Sequence, residues 1–217
     1  MRFHEIVKED SHTEYFEKCK IFWSFWKRAR KECSDFIRMR GLLYRGFRSE
    51  HPPIFKGQSV ERMPEKGERR DEVDAWLSSH GFTALRGNSV FAANTPEQAK
   101  VYATHGMYTI LPCNGFQYTW YRDSHDLYQK NFNDTLGRKD LSMEELMTSA
   151  QPMHDDLQAM MKTPRLHEMH FIGSYWAFDY YQFAQMVIDE IHGQGLMNQK
   201  RWGRIDAETA AYIGLTG

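Results

Sequence analysis

Residues 89–121, SVFAANTPEQAKVYATHGMYTILPCNGFQYTWY, decide the fold class. Ser89 to Ala93 is a short apolar run that reads as a strand. Asn94-Thr95-Pro96-Glu97 then signals a helix start, with a capping side chain ahead of a proline suited to the first turn. That helix carries Ala99, Val101 and Tyr102 and is expected to end near Gly106. Residues 107–112 and 116–121 read as two further strands, and Asn114-Gly115 between them is a strong hairpin signal. A strand, one short helix and two strands in close succession do not follow the βαβ rhythm, so the pattern predicts an α+β fold.

Outward from this stretch, residues 12–40 read as one N-terminal amphipathic helix. Tyr15, Cys19, Phe22, Trp26, Ala29, Cys33, Phe36 and Ile37 recur at three- and four-residue spacing, and Gly41 stops it. Lys27, Arg28, Arg30 and Lys31 form a basic run beside the apolar stripe, the pattern of a solvated helix face. Residues 42–47 are a short apolar run read as a buried strand. Residues 48–70, rich in Pro, Gly and charge, read as loop, and residues 71–80 as a helix closed by Gly81. The segment 123–163 reads as helix and polar loop, broken by Pro164. Residues 166–178 read as two strands joined at Gly173-Ser174, and residues 179–192 as a last amphipathic helix before a polar tail from Gly193. A length of 217 residues suits one domain: the N-terminal helix, a core over 42–178, and the C-terminal helix and tail over 179–217.

Composition narrows the function classes. Lys and Arg total 28 against 29 Asp and Glu, so no global charge draws the chain to nucleic acid or an anionic membrane. The apolar stretches are too short to span a bilayer. The N-terminus is polar, without the apolar centre of a signal peptide, and the three cysteines lack metal-type spacing; both suggest a reduced, cytoplasmic setting. No GxGxxG follows a strand, and neither a P-loop nor a GxSxG elbow occurs. His167-Glu168-Met169-His170 is one residue short of the HExxH zinc motif, and on a strand His167 and His170 point to opposite faces, so no metal is expected.

Three segments, in order, resemble the ADP-ribosyltransferase family. Leu43-Tyr44-Arg45-Gly46 looks like the opening strand with its arginine in the arginine–serine–glutamate branch. Asn88 to Tyr102 is similar to the strand-then-helix block that carries a serine. Glu168-Met169-His170-Phe171-Ile172, followed by Gly173-Ser174-Tyr175-Trp176-Ala177, looks like the late strand with the catalytic glutamate. YTILPCNGFQYTWY and the Asp126-Leu127-Tyr128 beyond it also resemble ADP-ribosyltransferase-like proteins that bacteriophages encode. The resemblance spans roughly residues 42–178. It implies a split β-sheet core flanked by helices, and transfer of ADP-ribose from NAD to a macromolecule of the host cytoplasm, a protein ahead of a nucleic acid. NAD is then a substrate, and no metal is needed.

The chemistry of such a site fits these residue types. Cleavage of the nicotinamide–ribose bond builds positive charge on the ribose, as glycoside cleavage does, and needs a carboxylate nearby. Glu168 stands in an apolar strand, where a charge requires an explanation. Arg45 suits bidentate contact with the diphosphate, and Gly46 allows close backbone approach. Ser89 is a hydrogen-bonding partner for the ribose or for Glu168, and Phe91 and Tyr102 offer faces for nicotinamide. Each residue has a plainer reading as well. Arg45 suits a strand-edge ion pair, Ser89 a turn, Glu168 a solvent-facing strand position, and Phe91 and Tyr102 the core. The sequence departs from the arginine branch twice: Asn88-Ser89-Val90 holds one serine, and Leu166 stands where that branch often has Glu or Gln. These departures put arginine in doubt as the acceptor and leave a nucleic-acid base, another side chain or plain NAD hydrolysis open. A binding module on the same fold with a degraded site is the alternative, and a nucleic-acid binder using the basic run is a third reading.

Overall fold

The computed structural model describes residues 12–61, 69–122, 142–163, 167–181 and 187, with side chains from Ile21 onward in the first stretch. Leu141, Pro164, Leu166, the segment 123–141, the tail from Gly193 and most of the helix expected over 179–192 lie outside the described residues.

The fold is α+β, one eight-stranded antiparallel sheet with six helices among the described residues. The strands are β1 (Leu43–Phe47), β2 (Ile54–Gln58), β3 (Val90–Ala93), β4 (Gly106–Pro112), β5 (Gln117–Tyr121), β6 (Pro152–Met153), β7 (Glu168–Ile172) and β8 (Ser174–Asp179). The helices are α1 (His12–Glu32), α2 (Ser34–Arg38), α3 (Arg70–Ser79), α4 (Pro96–Lys100), α5 (Met143–Ala150) and α6 (Leu157–Lys162). Strand order is β2-β8-β4-β1-β3-β7-β5-β6.

The register divides this sheet into two halves. β7 continues into β8 through Gly173, and β4 into β5 through residues 113–116. β4 pairs with β8 and β5 with β7, so two long bent ribbons run beside each other through both halves. On the other side the halves meet at β1 and β3, where the ladder holds the single pair Tyr44↔Ala93. Beyond that pair the two strands part.

The Asn114-Gly115 signal therefore makes a turn without making a hairpin. Gly115 takes a φ of +80°, and Phe116 N–H donates to Cys113 O at 3.2 Å, yet β4 and β5 each pair elsewhere. The apolar sides of both strands are matched by the ribbon 168–179, and those ladders outweigh a local turn preference. Asn114 is used to dock the N-terminal helices. Its N–H donates to Glu32 O at 2.6 Å, its Nδ2 to Lys31 O at 3.3 Å and Ser34 Oγ at 3.0 Å, and its Oδ1 accepts from Asp35 N–H at 3.0 Å.

Two further expectations are corrected. The helix read over 12–40 is broken at Cys33 into α1 and α2, although Phe22, Trp26, Ala29, Cys33 and Phe36 still form one buried stripe. They pack on the sheet, Trp26 edge-on to Phe178 at 5.7 Å. The loop read over 48–70 contains β2, which pairs with β8 from Ile54↔Phe178 to Gln58↔Ser174. β2 is an edge strand, where proline, glycine and lysine are tolerated because one side of the ladder is unpaired. A Cβ on Gly57 would meet the Tyr175 ring at 2.3 Å, so that glycine lets the ring lie over the strand.

α4 starts as expected, with Thr95 Oγ1 accepting from Gln98 N–H and Pro96 in the first turn; it ends at Lys100, earlier than Gly106. α5 is opened by a capping box between Ser142 and Glu145. α3 and α5 share a second apolar cluster, with Val73, Leu77, Phe82, Met147 and Ala150 around Tyr121. No helix among the described residues is long and apolar enough to cross a membrane.

Candidate functional site

The pairings Phe91↔His170, Ala93↔Glu168 and Thr119↔His170 place Phe91, Glu168, His170 and Thr119 on one face of the β3-β7-β5 half, because directly opposed residues share a face. A loop over residues 82–88 covers this face, and α3 holds it down. Asp74 accepts from Arg86 N–H at 2.7 Å and from Gly87 N–H at 2.8 Å. Thr119 Oγ1 donates to Ala84 O at 2.8 Å. Burial pushes the Asp74 carboxyl up, and the two N–H donors and the charges of Arg70 and Arg86 oppose that rise.

The pinned loop delivers Arg86. Its Nη1 lies 3.3 Å from Glu168 Oε1, with side-chain exposures of 7% and 11%, so this is a buried ion pair. Its guanidinium also sits 4.9 Å from the centroid of the Phe91 ring. The Phe91 ring lies nearly parallel to the His170 imidazole, at 5.4 Å and 23°. His170 Nε2 shares a hydrogen bond of 2.9 Å with the hydroxyl of Tyr121, whose phenol is pushed up by burial. His167 is buried too, with its Nδ1 3.0 Å from the Tyr121 carbonyl oxygen.

Arg45 enters from β1. Tyr44 opposes Ala93, so Tyr44 shares the face of Glu168, and Arg45 is directed to the other side of its strand. It reaches across the parting of β1 and β3, where Nη1 donates to Phe91 O at 2.7 Å. Its guanidinium lies 4.9 Å from the Phe47 ring centroid. Phe91 thus joins the two arginines, its carbonyl taking Arg45 and its ring Arg86.

The remaining residues singled out in the sequence lie apart from this group. Ser89 is buried, and its Oγ donates to Asn88 Oδ1 at 3.0 Å. Ser89 precedes β3 and lies four positions before Ala93, the partner of Glu168, a rise of about 13 Å along an extended chain. Gly46 packs against the end of α4: a Cβ there would meet Ala99 O at 2.4 Å, Ala103 N at 2.5 Å and Tyr102 C at 2.6 Å. Its close contact is with protein backbone. Tyr102 is 37% exposed just beyond α4.

Arg86, Asp74 and Tyr121 escape a reading of the sequence, and His170 enters it only through an incomplete zinc motif. One signal was present: Arg86-Gly87 repeats the Arg45-Gly46 dipeptide. Both glycines admit a close neighbour, since a Cβ on Gly87 would meet Asp74 Oδ2 at 2.8 Å. Among the described residues no group of three or more His, Cys, Asp or Glu is placed to hold a metal ion.

This arrangement is a buried carboxylate with one guanidinium group and an aromatic ring beside it, and a second guanidinium that comes from the other side of the sheet to the carbonyl of that aromatic residue. It suits a ligand with negative charge and hydroxyl groups. Comparison with family models, curated proteins and solved structures finds no match to the chain.

Proposed function

We propose that the protein is an NAD-dependent mono-ADP-ribosyltransferase working at Glu168. The observation that carries this reading is the Arg86–Glu168 pair at 3.3 Å beside the gap between β1 and β3. A buried ion pair is a poor device for stability alone, because desolvation offsets most of its attraction. A buried, partnered carboxylate of this kind is a candidate for a functional site. The diphosphate of NAD would draw Arg86 and Arg45, leaving the Glu168 carboxylate to hold a ribose hydroxyl and to stabilise the oxocarbenium charge. Phe91 would offer its ring to the nicotinamide. The acceptor would be a macromolecule.

A second reading has its own observation. Glu168 and Arg86 are nearly covered and satisfy each other, and Ser89 does not reach them. A closed pair of this kind also suits a non-catalytic module of the same family, which binds a partner without using NAD.

Incubation of the protein with labelled NAD and cell lysate, wild type beside Glu168→Gln, tests the first reading. Label on a macromolecule, or released nicotinamide, from wild type alone supports it. Neither product, together with an unmoved melting midpoint in excess NAD, overturns it in favour of the module, because any ligand specific to the folded state raises that midpoint.

A further inference from the structure

We propose that Cys33 and Cys113 form a redox-active dithiol, in which Cys113 meets a hydroperoxide and Cys33 resolves the product to a disulfide. The two cysteines are 80 positions apart in sequence, and their Sγ atoms lie 3.7 Å from each other. Both are free thiols, Cys33 buried and Cys113 half-buried, so a small oxidant has access to one of them and the other is shielded. The backbone on both sides of this gap is already held. Cys33 stands at the break between α1 and α2, and Cys113 begins the turn between β4 and β5. Asn114 ties those two places together with four hydrogen bonds.

The surroundings divide the roles. The Cys33 thiol has one hydrogen and two acceptors in reach, Leu111 O at 3.2 Å and Cys113 Sγ at 3.7 Å. Donation from Cys33 holds the Cys113 thiol below its ordinary range, and the Lys56 charge adds to this, against burial and the charge of Glu32. The same hydrogen bond and burial push the Cys33 thiol up. Cys113 is thus the better thiolate and Cys33 the proton-bearing partner.

The chemistry balances in two steps. The Cys113 thiolate attacks the outer oxygen of the hydroperoxide, the O–O bond breaks, and the leaving alkoxide or hydroxide takes a proton; Cys113 becomes a sulfenic acid. Cys33 sulfur then attacks the Cys113 sulfur, the S–O bond breaks, and the departing hydroxide takes the Cys33 proton and leaves as water. The peroxide gains two electrons and the dithiol loses them. The product staples the α1–α2 joint to the bend between the two halves of the sheet.

The test treats the full-length reduced protein with hydrogen peroxide, alkylates the remaining thiols and maps the peptides; mapping also distinguishes Cys19. The expected result is a Cys33–Cys113 linked peptide, lighter by two hydrogens than its parts and restored by dithiothreitol. In Cys33→Ser the Cys113 sulfenic acid should persist and be trapped by dimedone. Should that variant fail to fold, the wild-type map decides alone. Two intact thiols in the folded protein after peroxide would overturn the proposal, as would oxidation of Cys113 to the sulfinic acid without a linked peptide.

Discussion

At the scale of single residues, the pair Arg86–Glu168 concentrates the consequences. Arg86→Ala removes a cation from a carboxylate whose side chain is 11% exposed, and such losses cost about 3–5 kcal/mol. Urea denaturation should show the loss, and a cycle with Glu168→Ala should recover about 0.5–3 kcal/mol of it as coupling between the two. Independent energies in that cycle would mean that the two charges do not depend on each other. Gly46→Ala should destabilise by about 1–3 kcal/mol, because its new Cβ meets backbone atoms at the end of α4 that cannot turn aside. An unchanged denaturation midpoint would show that α4 shifts freely. The sequence exposed Glu168 because a charge inside an apolar strand is conspicuous. It hid Arg86 because an arginine in a loop is ordinary, and only Asp74 and the strand register make it special.

At the scale of elements, a local signal marked the start of α4 correctly, but the stops read for α1 and α4 and the partners of the strands were not legible locally. Thr95-Pro96 marks a helix start that the structure contains, and the structure adds a capping box of Ser142 with Glu145 at the start of α5. Ser142→Ala should lower stability by about 0.5–2 kcal/mol through the lost cap, measured as a shift in urea midpoint. Asn114-Gly115 shows the limit. It marks a turn correctly, while the choice of strand partners depends on ribbons far away in sequence. Asn114→Ala keeps the backbone bond to Glu32 O and loses the three made by its side chain, so a cost of about 1–3 kcal/mol is expected. Asn114→Asp, which can still accept from Asp35 N–H, should fall between wild type and alanine. A larger loss for Asp than for Ala would point to the helix carbonyls as the dominant partners. β2 was missed for a related reason: an edge strand bearing Pro, Gly and Lys has the composition of a loop.

At the scale of the whole molecule, one polar strap ties α1 to the edge of the sheet. Lys56 Nζ lies 2.8 Å from Glu32 Oε2, and Trp176 Nε1 donates to the same oxygen at 2.9 Å. The hydrogen bond from Lys56, then that from Trp176, holds the Glu32 carboxyl below the usual carboxylate range. A depressed folded value stabilises above the unfolded value and is lost as pH falls through the folded one. The Lys56 ammonium is raised by its hydrogen bond to Glu32, so its contribution is present at neutral pH and is lost as pH climbs through its folded value. Glu32→Gln should therefore flatten both the acid and the alkaline edges of a stability–pH curve. The pair is partly exposed, so the effect at neutral pH should be small, about 0.2–1 kcal/mol. A variant curve parallel to wild type at both ends would remove this strap from the account.

What the sequence determined by itself was local. Apolar periodicity specified α1, α3 and most strands, capping chemistry specified where α4 begins, and the absence of a βαβ rhythm specified the α+β class. These follow from forces between neighbours in the chain, which a sequence displays directly. The tertiary structure decided which strands pair, that β1 and β3 part after one pair, and that Arg86, Phe91, Glu168 and His170 gather on one face while Ser89 stays away. Strand register decides those positions. A shift of one residue turns every side chain to the other face, and register is set by contacts between distant segments that no single stretch of sequence contains.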